Sequence, residues 1–61
     1  MAAKFEIYQD SSSQYRWRLK FGNGLIIATS GESYANRAGV RNGIEAVQRD
    51  AAQAPIEDVF S

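Results

Sequence analysis

Arg16, Arg18 and Lys20 alternate with apolar residues in the string Tyr15-Arg16-Trp17-Arg18-Leu19-Lys20-Phe21. A period of two is that of a strand, and it sets the three cations on one face about 6.8 Å apart. With Tyr8 on a neighbouring strand, such a row has the chemistry to track a single-stranded nucleic-acid backbone. The same residues equally describe the solvated face of a one-layer sheet, with Glu6 offsetting Arg16 or Arg18 across the strands. Trp17 and Tyr15 fall on the opposite face, so the cations lack a stacking platform. The solvated face is the preferred reading, and nucleic-acid contact through Arg16, Arg18, Lys20 and Tyr8 is the alternative.

Other chemistry finds little to work with. Ser11, Ser12 and Ser13 offer hydroxyls, but the chain has no His and its only side-chain amines are Lys4 and Lys20, so no group is placed to activate them. Asp10 and Glu32 stand apart in loops, and Glu57 and Asp58 point to opposite faces if their segment is a strand. Cys is absent, and no Asp-rich loop gathers oxygen ligands for a metal. Gly22-Asn23-Gly24 opens a strand where a phosphate loop opens a helix, and Glu32 opposes an anion at Gly31-Glu32-Ser33. Phe5, Tyr15, Trp17, Phe21 and Phe60 are needed as core. No catalytic, cofactor-binding or metal residue is expected, and an enzyme is the least favoured class.

The elements that hold these residues follow from periodicity. Lys4–Gln9 alternates as a half-buried strand with Phe5 and Ile7 on one face, and the polar loop Asp10–Gln14 leads into the strand Tyr15–Phe21. Asn23-Gly24 suits a two-residue type I′ turn, which would pair Gly22 with Leu25, Phe21 with Ile26 and Leu19 with Ala28. Leu25–Thr29 then forms a third strand. From about Tyr34 to Ala52 the pattern becomes helical, with Ser33 as N-cap, a stripe of Val40, Ile44, Val47 and Ala51, and an outward Glu45–Arg49 pair. Gly39 and Gly43 interrupt this helix. Gly43 is expected to permit close approach to the Tyr15 and Trp17 side chains on the sheet. Beyond Pro55, Ile56–Phe60 reads as a last strand.

The order β-β-β-α-β defines a two-layer α+β domain over residues 1–61, an antiparallel sheet with one helix on the Phe5/Ile7/Tyr15/Trp17/Leu19/Phe21 face. Sixty-one residues allow a single domain, and 44% hydrophobic with 23% charged residues is globular composition. The formal net charge of +0 supplies no global field toward nucleic acid or anionic membrane. The longest apolar run, Leu25–Ala28, falls far short of the ~20 residues of a membrane span. Met1-Ala2-Ala3-Lys4 lacks the pattern of a secretory leader, so the cytoplasm is the expected compartment.

Phe5-Glu6-Ile7-Tyr8, Tyr15-Arg16-Trp17-Arg18-Leu19-Lys20, Gly22-Asn23-Gly24, Ile26-Ile27-Ala28, Gly31-Glu32-Ser33-Tyr34 and Asn42-Gly43-Ile44-Glu45, in this order, strongly resemble the YegP-like family. This is a group of small bacterial and archaeal proteins of unknown function, and the resemblance spans about Lys4 to Asp58. It implies a β3-α-β unit, paired as tandem repeats or as two subunits, with one continuous sheet and exchanged C-terminal strands. A chain with one unit then implies a homodimer. It implies no site residues, and Phe21 and Leu25 add apolar surface where the family commonly has small or polar residues.

The residues argue for the same assembly. A chain this small, without a cross-link, is near the lower limit for folding alone. A lone three-stranded sheet leaves two open edges. The segment Ile56-Glu57-Asp58-Val59-Phe60 is apolar where a terminus is ordinarily polar, and Gln53-Ala54-Pro55 is a short hinge. The expected protein is a homodimeric structural or interaction module whose partner is a second copy of itself.

Overall fold

Alternation in the Tyr15–Phe21 string organises the structure, a computed structural model that describes residues 2–60. This string is the middle strand of an antiparallel sheet ordered β1 (Ala3–Gln9), β2 (Tyr15–Phe21), β3 (Ile26–Thr29). One helix, α1 (Arg37–Asp50), follows and ends in a 3₁₀ turn at Ala51–Gln53. The α+β, two-layer reading holds. The fourth expected strand, Ile56–Phe60, has no strand partner among the described residues.

Cross-strand pairing sorts the two faces. Phe5 opposes Leu19 and Ile7 opposes Trp17 on one side, while Glu6 opposes Arg18 and Tyr8 opposes Arg16 on the other. The helix lies on the Trp17 side. Trp17, Val40 and Ile44 are the buried core, with Val40 at 0% exposure, and Phe5, Tyr15, Leu19, Ala28, Tyr34 and Val47 pack around them. The Phe5 ring meets the Trp17 indole edge-on at 5.4 Å between centroids, a favoured aromatic geometry. Expected core residues Ile7 and Phe21 are instead exposed, and so is Ala51 of the helical stripe. A single helix with so narrow a stripe covers β2 but not the whole sheet.

Trp17 is also held through its backbone. Its carbonyl accepts from Ser30 N–H at 2.9 Å, and its N–H donates to the buried Ser30 Oγ at 3.2 Å. One residue past the end of β3, this serine satisfies both backbone groups of Trp17 at the centre of β2.

The β2–β3 turn departs from the two-residue expectation. Gly22–Gly24 form a three-residue loop, closed by Gly24 N–H to Phe21 O at 2.9 Å and Phe21 N–H to Leu25 O at 2.9 Å. Only Gly24, at φ +92°, is left-handed here, whereas a type I′ turn needs two such residues. Asn23 instead accepts Leu25 N–H on its side chain at 3.1 Å. The pairing is thus shifted at the loop, with Lys20 opposite Ile26. A β-bulge between Leu19 and Lys20 restores the anticipated Leu19–Ala28 pair. The third strand begins at Ile26, one residue later than expected.

The helix also begins later than Tyr34. Tyr34 is held extended by reciprocal hydrogen bonds with Tyr15, both 2.8 Å, and so cannot enter a helical turn. The N-cap is Asn36 and not Ser33: its backbone is extended and its Oδ1 accepts Gly39 N–H at 2.8 Å. Arg49 pairs with the adjacent Asp50, at 3.2 Å, and not with Glu45.

Gly43 faces a different neighbour from the one expected. A Cβ there would meet the Tyr34 hydroxyl and lie 2.9 Å from its Cζ, so the residue that needs the space is Tyr34 and not Trp17 or Tyr15. Gly39 and Gly43 form a shallow channel on α1 in which the Tyr34 ring lies. Gly43→Ala should therefore destabilise the fold by ~1–2 kcal/mol in denaturant unfolding, despite a helix-propensity gain of about 1 kcal/mol. With Tyr34→Leu in place, the same substitution should become neutral or stabilising. A higher unfolding midpoint for Gly43→Ala alone would contradict this packing.

Candidate functional site

Two surfaces have the side chains to do something, and they lie on opposite faces of the sheet. The first is the cationic face. β2 brings Arg16, Arg18 and Lys20 to one side as expected, and β1 adds Lys4 and Tyr8. Cross-strand register sets Lys4 directly opposite Lys20, an unfavourable like-charge pair. Glu6 sits between them and resolves it. Its carboxylate is 2.8 Å from Arg18 Nε, 3.4 Å from Lys20 Nζ and 3.7 Å from Lys4 Nζ.

Arg16 has its own acid. Asp10 stands alone in the sequence but not in the fold: Oδ2 accepts Arg16 Nε–H at 2.8 Å, while Oδ1 accepts Ser12 N–H at 2.9 Å and Gln14 N–H at 3.1 Å. One side chain therefore builds the β1–β2 loop and neutralises the first cation of β2. The Arg18 guanidinium lies 4.5 Å above the Tyr8 ring centre, so the aromatic face offered to a base is already occupied. The hydrogen bond from Arg18 holds the Glu6 carboxyl below its ordinary range, with the charge of Lys20 adding to it against partial desolvation. The hydrogen bond from Arg16, followed by that from Gln14 N–H, does the same for Asp10.

The second surface is a trough between β1 and α1, on the helix-bearing face, along the β1 flank that α1 leaves uncovered. One recess of about 510 Å³ is bounded by Phe5, Ile7, Leu19, Ile44, Arg41 and Gln48, among others. The next, of about 360 Å³, is bounded by Ile7, Tyr8, Gln9, Tyr15, Arg37 and Arg41. Ile7 and Arg41 border both, which makes the two a single run along β1. Arg37 and Arg41, one helical turn apart, are exposed and have no ion pair among the described residues. Their i, i+4 spacing was visible in the sequence, but only the fold sets them over an open recess beside Ile7, Tyr8 and Tyr15.

The C-terminal segment lies away from this trough. Ile56, Val59 and Phe60 are 98%, 83% and 90% exposed, the largest exposures among the big apolar side chains. Ala54 is extended at φ −71°, ψ 129°, as a residue before proline prefers, and this directs the segment off the end of the helix. Among the described residues no group of His, Cys, Asp or Glu could hold a metal, and no buried side-chain N or O lacks a hydrogen bond. No described helix is long and apolar enough to cross a membrane.

The family model described as "Domain of unknown function (DUF1508)" matches residues 10–58. The chain belongs to this family. It is the same small family of uncharacterised proteins that the sequence resembles under the name YegP-like. A UPF0339 protein from Treponema denticola is 51% identical over 97% of this chain and 100% of its own length. A solution structure of a protein from Haloferax volcanii superposes with a TM-score of 0.89 at 44% identity, covering 93% of this chain and 95% of that one. A UPF0339 protein from Shewanella oneidensis is 42% identical over 93% of this chain but only 48% of its own length, so that protein has room for a second unit. None of these names denotes an enzyme.

The two depressed carboxyls predict the acid response. A carboxyl whose folded pKa lies below its unfolded value contributes stability above the unfolded value, and this is lost as pH falls through the folded one. Thermal midpoints should thus hold steady through neutral pH and fall below about pH 4. The double variant Glu6→Gln/Asp10→Asn should be less stable at pH 7 and show a shallower acid decline. An unchanged slope would show that these ion pairs do not govern it.

Proposed function

We propose that this protein is a non-enzymatic, homodimeric interaction module of the cytoplasm, in which Ile56–Phe60 of each chain adds as a strand along β1 of the other. The observation that carries this reading is the coexistence of a highly exposed apolar segment and an open trough, with Phe5, Ile7, Leu19 and Ile44 at one end of it, in one chain. Burying one Ile and one Phe is worth roughly 3–6 kcal/mol before the entropy of ordering, and two symmetric exchanges double it. β1 is an edge strand of seven residues with no strand on its outer side among the described residues, long enough to take the five-residue segment.

Exchange is favoured over folding back by the direction of the chain. The helix starts near Gln9, with Arg37 beside it, and ends near Ala3, with Gln48 close by, so α1 runs opposite to β1. A segment leaving the helix would have to reverse within Ala54-Pro55 to reach its own trough, and Ala54 is extended. A relative long enough for two units is what the same architecture would look like fused into one chain.

Light scattering at low micromolar concentration should return twice the chain mass of 6.8 kDa. A chain ending at Ala54 should be monomeric and less stable. A monomeric intact chain refutes the dimer, and a shortened chain that still dimerises with unchanged stability refutes the exchange.

A second reading keeps Arg16, Arg18, Lys20 and Tyr8 as a nucleic-acid surface. Their common face and the nearby Lys4 favour it; the ion pairs to Glu6 and Asp10 weigh against it. A fluorescence titration with single-stranded oligonucleotides at physiological salt should show no saturable binding below about 100 µM, the weak end of non-specific affinity. Tighter, salt-dependent binding lost in Arg16→Ala/Lys20→Ala would install the nucleic-acid reading.

A further inference from the structure

We infer that Arg41 is the counter-ion for Asp58 of the partner subunit, and that this pair sets the register of the exchanged strand. The inference rests on the exchange of Ile56–Phe60 proposed above and adds what selects its alignment.

In an extended Ile56-Glu57-Asp58-Val59-Phe60, side chains alternate between faces. One face has Ile56, Asp58 and Phe60; the other has Glu57 and Val59. The first has much the larger apolar area, so it is the face that an apolar trough takes. This leaves the Asp58 carboxylate midway between two bulky apolar groups, each about 6.8 Å away. An acid in that position opposes docking unless a cation meets it as water is displaced.

The trough has the matching pattern. Phe5, Leu19 and Ile44 bound only the first recess and Tyr8 and Tyr15 only the second, while Ile7 and Arg41 border both. Apolar–acid–apolar on the strand therefore meets recess–arginine–recess on the host. Both patterns read the same in either direction, so the match holds whether the strand runs parallel or antiparallel to β1.

The remaining charges narrow the choice to Arg41. Lys4 borders the first recess but is committed to Glu6 at 3.7 Å, and Glu45 in that recess repels an incoming acid. Arg37 borders the second recess only. Arg41 is exposed, has no ion pair among the described residues and presents a planar fork suited to a carboxylate.

Charge reversal tests the pairing, because each single reversal should fail alone and the two should rescue each other. In Arg41→Glu or Asp58→Arg homodimers both symmetric pairs become repulsive, so the dimer Kd by analytical ultracentrifugation should rise roughly 100-fold, about tenfold per pair. An equimolar mixture forms a heterodimer with one native pair and one of inverted polarity, and should return to within about tenfold of the wild-type Kd. Both side chains are exposed, so circular dichroism should show the helix intact. If a reversed variant misfolds, Arg41→Gln and Asp58→Asn should each weaken the dimer in the same direction. Single variants that dimerise like the wild type overturn the pairing while leaving the exchange standing. Weakened variants that fail to rescue each other overturn it as well. A monomeric wild type, or a chain ending at Ala54 that dimerises unchanged, removes the exchange itself and the pairing with it.

Discussion

The contact of Trp17 with Val40 and Ile44 is the constraint from which the rest of the molecule follows. Those three side chains make up the buried hydrophobic core, and the Trp17 backbone is fixed at both N–H and C=O by Ser30. A helix centred on the middle strand covers that strand well and its neighbours poorly. Ile7 on β1 and Phe21 at the far end of β2 are left at the surface, and a trough opens along β1. Among the described residues no second α-helix exists to close it, and a core of this size is marginal by itself. A second copy of the chain carries the apolar segment that would complete the layer.

The other face of the sheet faces a different difficulty. Alternation that serves the core necessarily crowds Lys4, Arg16, Arg18 and Lys20 together. Glu6 and Asp10 relieve this with different geometry: Glu6 as a shared acid among three cations, Asp10 as a loop-former that also takes a guanidinium. Such exposed pairs are individually weak. Their main effect is to let an amphipathic strand be cationic on one side with less self-repulsion. The face keeps an excess of positive charge, but each of its four cations has an acid within 3.7 Å.

What the sequence made legible were features of short period. The first three strands, the faces of β1 and β2 and the existence of the helix came from alternation and from the Val40/Ile44/Val47 stripe. What escaped depended on competition between local signals. Ser33 is a good cap by type, but the Tyr15–Tyr34 bridge holds the chain extended until Asn36. Asn23-Gly24 is a good two-residue turn by type, but Asn23 used its side chain on Leu25 N–H and the loop took a third residue. Gly43 was recognised as a close approach, yet its partner is Tyr34, whose position only the bridge determines. Asp10 and Arg16, six residues apart across a hairpin loop, met for a reason visible only once that loop was built. The trough was less legible still, since it arises from what α1 fails to cover.

Isotope-filtered nuclear Overhauser spectroscopy on a one-to-one mixture of ¹³C-labelled and unlabelled chains tests the central claim most directly, because it reports contacts between chains alone. The account predicts intermolecular cross-peaks from the Ile56 and Phe60 side chains to Phe5, Ile7 and Ile44. Cross-peaks from Ile56 and Phe60 that appear only within one chain, or none at all, would contradict it.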